Sequence, residues 1–279
     1  MKTKSAQTAP CLGGSVPIWR KQKRPPGLVR HQAQTRFRLI DCFSFTTFSS
    51  SMSTQISEIR RHTRNTGCMR TPDVDTLQND PRYRKILELD FSEMTPFVLN
   101  NIRGKEKMAV LFMALNLATV IFILVYVVWG ITWDHFDGRQ VFLQMLAGVL
   151  AGSILIIPPH EILHGIAYRL LGARRIRFGV DFQQFIFFVT ADRFPISRNE
   201  LRFLAMTPFT VINAVCIALT ATLFTEWALF SATLLLSHNI MCIGDFALTS
   251  YANRNTGELY TYDEIEKRKS YFYEKTGVN

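Results

Sequence analysis

Residues 141–164, VFLQMLAGVLAGSILIIPPHEILH, decide how this chain is read. The first nineteen carry no charge, about the length that crosses the hydrocarbon core of a bilayer as a helix. The last five, His160 to His164, set two histidines four residues apart around Glu161. On a helix that spacing brings both imidazoles to one face, one turn apart. Two neutral imidazoles so placed suit one Zn²⁺, and the glutamate beside them is free to act as general base. Pro158 and Pro159 remove backbone donors and push the preceding residue out of helical geometry. A break is therefore expected there, with Pro159 near the start of a second half-helix that carries the histidines. Carbonyls freed at membrane depth persist only where protein or a water-filled cavity satisfies them, and hydrolysis needs such a cavity. The plainer alternative is a helix whose histidines only bond neighbouring carbonyls.

Outward from this stretch lie three more charge-free runs, Met108–Trp133, Phe203–Thr225 and Trp227–Gly244. Each is near or above the roughly 18 residues of a membrane-spanning helix, and four in one chain argue against buried helices of a soluble protein. The fold class expected is an all-α membrane protein of about four transmembrane helices, with a small β-strand element at the cytoplasmic membrane face. The 279 residues divide into a disordered basic leader (1–51), a cytoplasmic polar region (52–107), a four-helix transmembrane metallopeptidase-like domain (108–251) and a cytoplasmic tail (252–279). The leader holds nine Lys and Arg against one acid, Asp41, and no apolar core of a secretory signal. It reads as a transit peptide or, preferably, as a misassigned extension ahead of a true start at Met52.

Within the domain, the loop Asp134–Gly138 is a tight acidic turn in which His135 is a solvated residue. Pro208 is expected to kink the third span. Gly165 and Ala167 would let another helix approach the histidine-bearing one closely. Residues 178–190 are rich in β-formers and read as one or two strands at the membrane surface. Their exposed edge would suit an extended substrate by strand addition, although an aromatic anchor at the membrane interface is the preferred reading. Ile86–Phe91 could form a short strand before the first span. The charged run Glu264–Lys269 suggests a short solvated helix.

The net charge of +10 comes largely from basic residues flanking the apolar runs. Orientation and anionic membrane lipid explain them better than nucleic acid, which is not an expected partner. The loop charges place both termini and the long 172–202 loop on the cytoplasmic side, in a bacterial cytoplasmic membrane. Five cysteines form no CxxC pair, so neither a disulfide framework nor a thiolate zinc site is indicated, and Cys216 and Cys242 read as apolar packing residues.

A catalytic zinc takes three protein ligands and water. His160 and His164 supply two. His164 lies about 8 Å before Arg169 along one span, and Asp245 about 9 Å before Tyr251 along another of the same direction. The two therefore come out at similar depth, which favours Asp245 as third ligand. His238 is the rival, but should sit about 10 Å deeper. Its neighbour Asn239 lies beside the same helical face and is a further auxiliary candidate.

HEILH in one span, a strand-like loop after it, and Asn239 with Gly244-Asp245 in a later span resemble the putative zincin peptidase family, domain of unknown function 3267, over about Lys85–Tyr251. More distantly they are similar to site-two-protease intramembrane metalloproteases, although Asn-Pro-Asp-Gly and Leu-Asp-Gly are absent around Asp245. The resemblance implies zinc held by His160, His164 and Asp245, with Glu161 as the base. The expected function is zinc-dependent hydrolysis of a peptide bond in or near the bilayer, acting on a peptide or membrane-protein substrate. The alternative is a metal-binding membrane protein without proteolytic activity, regulatory or structural. Oligomeric state is not legible.

Overall fold

A computed structural model of the chain describes residues 71–133, 135–181, 186–222 and 225–276. The leader and the Met52 start, Cys11, Cys42, Cys68, Asp134 and residues 182–185 lie outside the described residues.

A short helix α1 (Val74–Asn79), capped by Asp73, precedes strand β1 (Tyr83–Asp90), which takes in the expected Ile86–Phe91 segment up to Asp90. Helix α2 (Met94–Ile102) follows. Then comes α3 (Lys107–Thr132), apolar around its whole circumference, with Val125 and Val128 each 63% exposed. Such a helix is stable only where an apolar medium covers it.

Helix α4 (Gly138–Leu150) runs into one π-helical turn (Ala151–Leu155). Helix α5 (Ile157–Leu171) starts directly after, with its prolines in the first turn. The break expected at Pro158-Pro159 thus falls one to two residues earlier, where the prolines cost the new helix no backbone bond. Gly172, at φ 102°, closes α5 in the left-handed conformation that a side chain would oppose. Strands β2 (Arg177–Asp181) and β3 (Ile186–Thr190) form an antiparallel hairpin, as their composition suggested. After β4 (Ile196–Ser197), helix α6 (Arg198–Thr222) continues through Pro208 as one element.

The fourth apolar run is not one continuous helix. It is α7 (Ala228–Met241) and α8 (Ile243–Arg254), bent by 48° at Cys242. Among the described residues, three helices are long and apolar enough to cross a membrane, or four where the bent pair is counted as one span.

The tail corrects the expected helix. It forms β5 (Glu258–Glu264) and β6 (Lys269–Lys275), with Glu264 opposite Lys269 and residues 265–268 of the charged run as the turn between them. Composition explains this: Tyr260, Thr261 and Tyr262, then Tyr271, Phe272 and Tyr273, are β-formers, and Thr261, Tyr262, Tyr271, Phe272 and Tyr273 are buried because both faces of the sheet are covered. An antiparallel sheet results, in the order β1-β6-β5-β4, with Leu87 opposite Phe272, Phe272 opposite Thr261, and Thr261 opposite Ile196. One face packs with Tyr168, Leu201, Leu204 and Ala252 from the ends of α5, α6 and α8. The other carries Val74 and Leu77 of α1 on Tyr262, Tyr271 and Tyr273. The protein is mostly helical, with more β structure than the one or two strands expected.

Candidate metal centre

The site is assembled by two broken helices. His160 and His164 stand in the first two turns of α5, just after the π-turn, and Asp245 stands in the first turn of α8, just after the 48° bend at Cys242. His160 and His164 lie on one face of α5, and Asp245 enters from α8. His160 Nε2 is 3.1 Å from His164 Nε2 and 3.4 Å from Asp245 Oδ2, and His164 Nε2 is 3.4 Å from Asp245 Oδ1. A tetrahedral ion with bonds of about 2.0–2.1 Å holds its donors about 3.3–3.4 Å apart. The three groups therefore fit zinc in spacing and in donor type, two imidazoles and a carboxylate.

The other ring nitrogens are also engaged. His164 Nδ1 lies 3.1 Å from the Leu204 carbonyl of α6. A carbonyl only accepts, so this bond puts the hydrogen on Nδ1 and leaves the Nε2 lone pair facing Asp245. His160 Nδ1 lies 3.2 Å from His238 Nε2, inside hydrogen-bond range. Donation from His160 Nδ1 leaves its Nε2 lone pair toward His164 and Asp245. His238, expected about 10 Å deeper than Asp245, meets the other ring nitrogen of His160, which itself lies one turn, about 6 Å, before His164 along α5.

Glu161, the residue between the histidines in sequence, lies beside the backbone N–H of Val189 on β3. Asn239 is buried, but its Oδ1 accepts from Asn213 Nδ2 at 2.8 Å and so ties α7 to α6. Gly165 faces the Phe178 ring of the hairpin, at 3.4 Å from where its Cβ would stand, rather than a neighbouring helix.

A cavity of about 720 Å³ opens onto these groups. His160, Glu161, His164 and Asp245 line one part of it; the hairpin residues Phe187 to Thr190 and Met94, Val98 and Leu99 of α2 line others. Sequence reasoning had no sign that α2 or the tail sheet would reach this space, since long-range packing brings them there. It also missed Cys242, whose Sγ lies 3.5 Å from His238 Nε2 and 3.9 Å from His160 Nδ1. The available signal was its spacing, four residues after His238, the same interval that joins the histidines of HEILH.

Residues 153–256 match the family model described as putative zincin peptidase. The matched span holds His160, Glu161, His164, His238, Cys242 and Asp245, while α2 and the tail sheet lie outside it. No curated protein and no solved structure matches the chain.

Proposed function

We propose, from the likeness to a peptidase family and from the donor triangle it encloses, that this chain is a membrane-embedded zinc metallopeptidase. The observation that carries the reading is the placing of His160, His164 and Asp245 at the mutual distances of a tetrahedral zinc, with Glu161 in the same cavity. His160 Nε2, His164 Nε2 and the Asp245 carboxylate would hold the ion. Bound there, zinc would supply a Lewis acid for the scissile carbonyl and lower the pKa of a coordinated water toward about 7.

The chain's own residues do the rest. Glu161 takes the proton from the attacking water and passes it to the leaving amine. The Leu204 carbonyl holds the His164 ring in the tautomer that ligates, and His238 does the same for His160. The substrate enters as an extended chain along β3. That strand pairs with β2 on one side, and its Val189 N–H on the other side points to Glu161. Main-chain bonds to this edge would present a peptide bond to Glu161 whatever its side chains. The site would lie near the cytoplasmic face of a bacterial cytoplasmic membrane.

The test is zinc content and peptide hydrolysis on detergent-purified protein. Glu161→Gln is expected to keep about one zinc and lose hydrolysis by at least ~10²-fold, the usual contribution of a general base. Asp245→Ala should lose both. Hydrolysis surviving in Glu161→Gln would sink the mechanism, and zinc surviving in Asp245→Ala would sink the ligand set.

A further inference from the structure

His160 is shared by two donor clusters, one on each ring nitrogen. Its Nε2 faces His164 and Asp245, as described. Its Nδ1 faces a second group, His238 Nε2 at 3.2 Å and Cys242 Sγ at 3.9 Å, and these two lie 3.5 Å from each other. All three residues of this second group are buried. A tetrahedral d¹⁰ cation with bonds of about 2.0–2.1 Å to nitrogen and 2.3 Å to sulfur sets its nitrogens about 3.3 Å apart and nitrogen and sulfur about 3.5–3.6 Å apart. The His160–His238 and His238–Cys242 separations are close to those values, and the Cys242–His160 separation of 3.9 Å is slightly longer. Nothing in hydrolysis requires a thiol here.

We propose that His160 Nδ1, His238 Nε2 and Cys242 Sγ form a second metal position, selective for a divalent cation more thiophilic than Zn²⁺, such as Cd²⁺. One thiolate with two imidazoles is a softer donor set than two imidazoles with a carboxylate, so the two positions differ in preference. Binding expels two protons to solvent, one from the Cys242 thiol and one from His160 Nδ1; His238 Nε2 already presents a lone pair. No electron is transferred and no covalent bond to carbon changes. The cation takes the place of the His160–His238 hydrogen bond, so its arrival is felt by the nitrogen on the other side of the same ring. The position deepens the peptidase reading by linking that site to metal supply, yet its donors do not include Glu161, His164 or Asp245.

The experiment titrates CdCl₂ into the full-length, detergent-purified, zinc-loaded protein and follows the ultraviolet thiolate-to-cadmium charge-transfer band. Wild type and Asp245→Ala are expected to develop the band. Cys242→Ser is expected to lack it while keeping about one zinc by elemental analysis, which also shows that the variant is folded. His238→Gln keeps the thiol and should need at least about tenfold more cadmium for the same band. An undiminished band in Cys242→Ser would assign cadmium to other cysteines and overturn the proposal; so would no band in folded wild type. If Cys242→Ser also lacks zinc, His238→Gln decides, and a wild-type titration there overturns it. Failure of the peptidase reading appears elsewhere, as hydrolysis retained by Glu161→Gln.

Discussion

An enclosed carboxylate needs a partner, and the two acidic side chains that matter most here find different ones. Asp245, 13% exposed, has an imidazole nitrogen 3.4 Å from each oxygen. Asp263, on β5, takes hydroxyl bonds instead: Thr190 Oγ1 donates at 2.7 Å and Ser270 Oγ at 2.6 Å. These bonds do not fully replace water. Desolvation raises the Asp263 pKa above the ordinary carboxylate value, Asp192 adds repulsion, and the two hydroxyls only partly offset both. Because the folded pKa lies above the unfolded one, the folded state binds the proton more tightly. Its stabilising contribution is therefore complete below roughly pH 4 and is lost as pH rises through the raised value. Asp263→Asn removes that dependence. The midpoint of thermal unfolding for the variant should gain on wild type as pH is raised from 4 to 8, and a constant difference across that range would contradict the assignment.

At the scale of elements, the site depends on how closely α4 and the π-turn approach α7. Gly148 lies against Thr233 and the Phe230 carbonyl, and Gly152 against the Leu234 carbonyl and Ser237. A Cβ at either position would collide with backbone, which cannot move aside as a flexible side chain can. Gly148→Val is therefore expected to force α7 outward at a cost of roughly 1–3 kcal/mol, read as a lowered unfolding midpoint in detergent. Unchanged stability would show that these helices are not held at that distance. The same contact explains why the chain breaks where it does: α7 must lie close to α4 along its length, yet α8 must turn Asp245 toward α5. The 48° bend at Cys242 meets both demands.

At the scale of the whole molecule, three distant pieces of chain meet in one sheet. β1 precedes the first apolar helix, β4 falls between α5 and α6, and β5 and β6 follow the bent α7–α8 pair. A single sheet occupies one side of a membrane. In the membrane arrangement proposed above, with α3, the α4–α5 unit, α6 and the bent pair each crossing once, all three pieces would fall on the same side by parity, as one sheet requires. The loops around Arg139 and Trp227 then fall on the other side. Membrane-impermeant maleimide applied to intact spheroplasts should label Arg139→Cys above the wild-type background but not Asn79→Cys or Lys267→Cys. Inverted vesicles should give the reverse. Labelling of Asn79→Cys and Lys267→Cys from opposite sides would overturn the four-crossing arrangement.

The local signals were sufficient for what local chemistry controls. Runs without charge located the long helices, because each backbone group in an apolar span is satisfied within its own helix. Two prolines marked the break before His160, β-forming composition marked the 177–190 hairpin, and the four-residue spacing of HEILH put two imidazoles on one face. The strands of the tail were legible in the β-forming composition of Leu259 to Tyr262 and Tyr271 to Tyr273, had the charged run between them not been read as a helix. The bend at Cys242 was not legible, since neither proline nor a left-handed glycine marks it. Packing of α7 and α8 against different neighbours decides it, and with it the approach of His238 and Cys242 to His160. Contact between residues nearly eighty positions apart depends on the balance of all the surfaces buried together, and that balance exists only in the folded molecule.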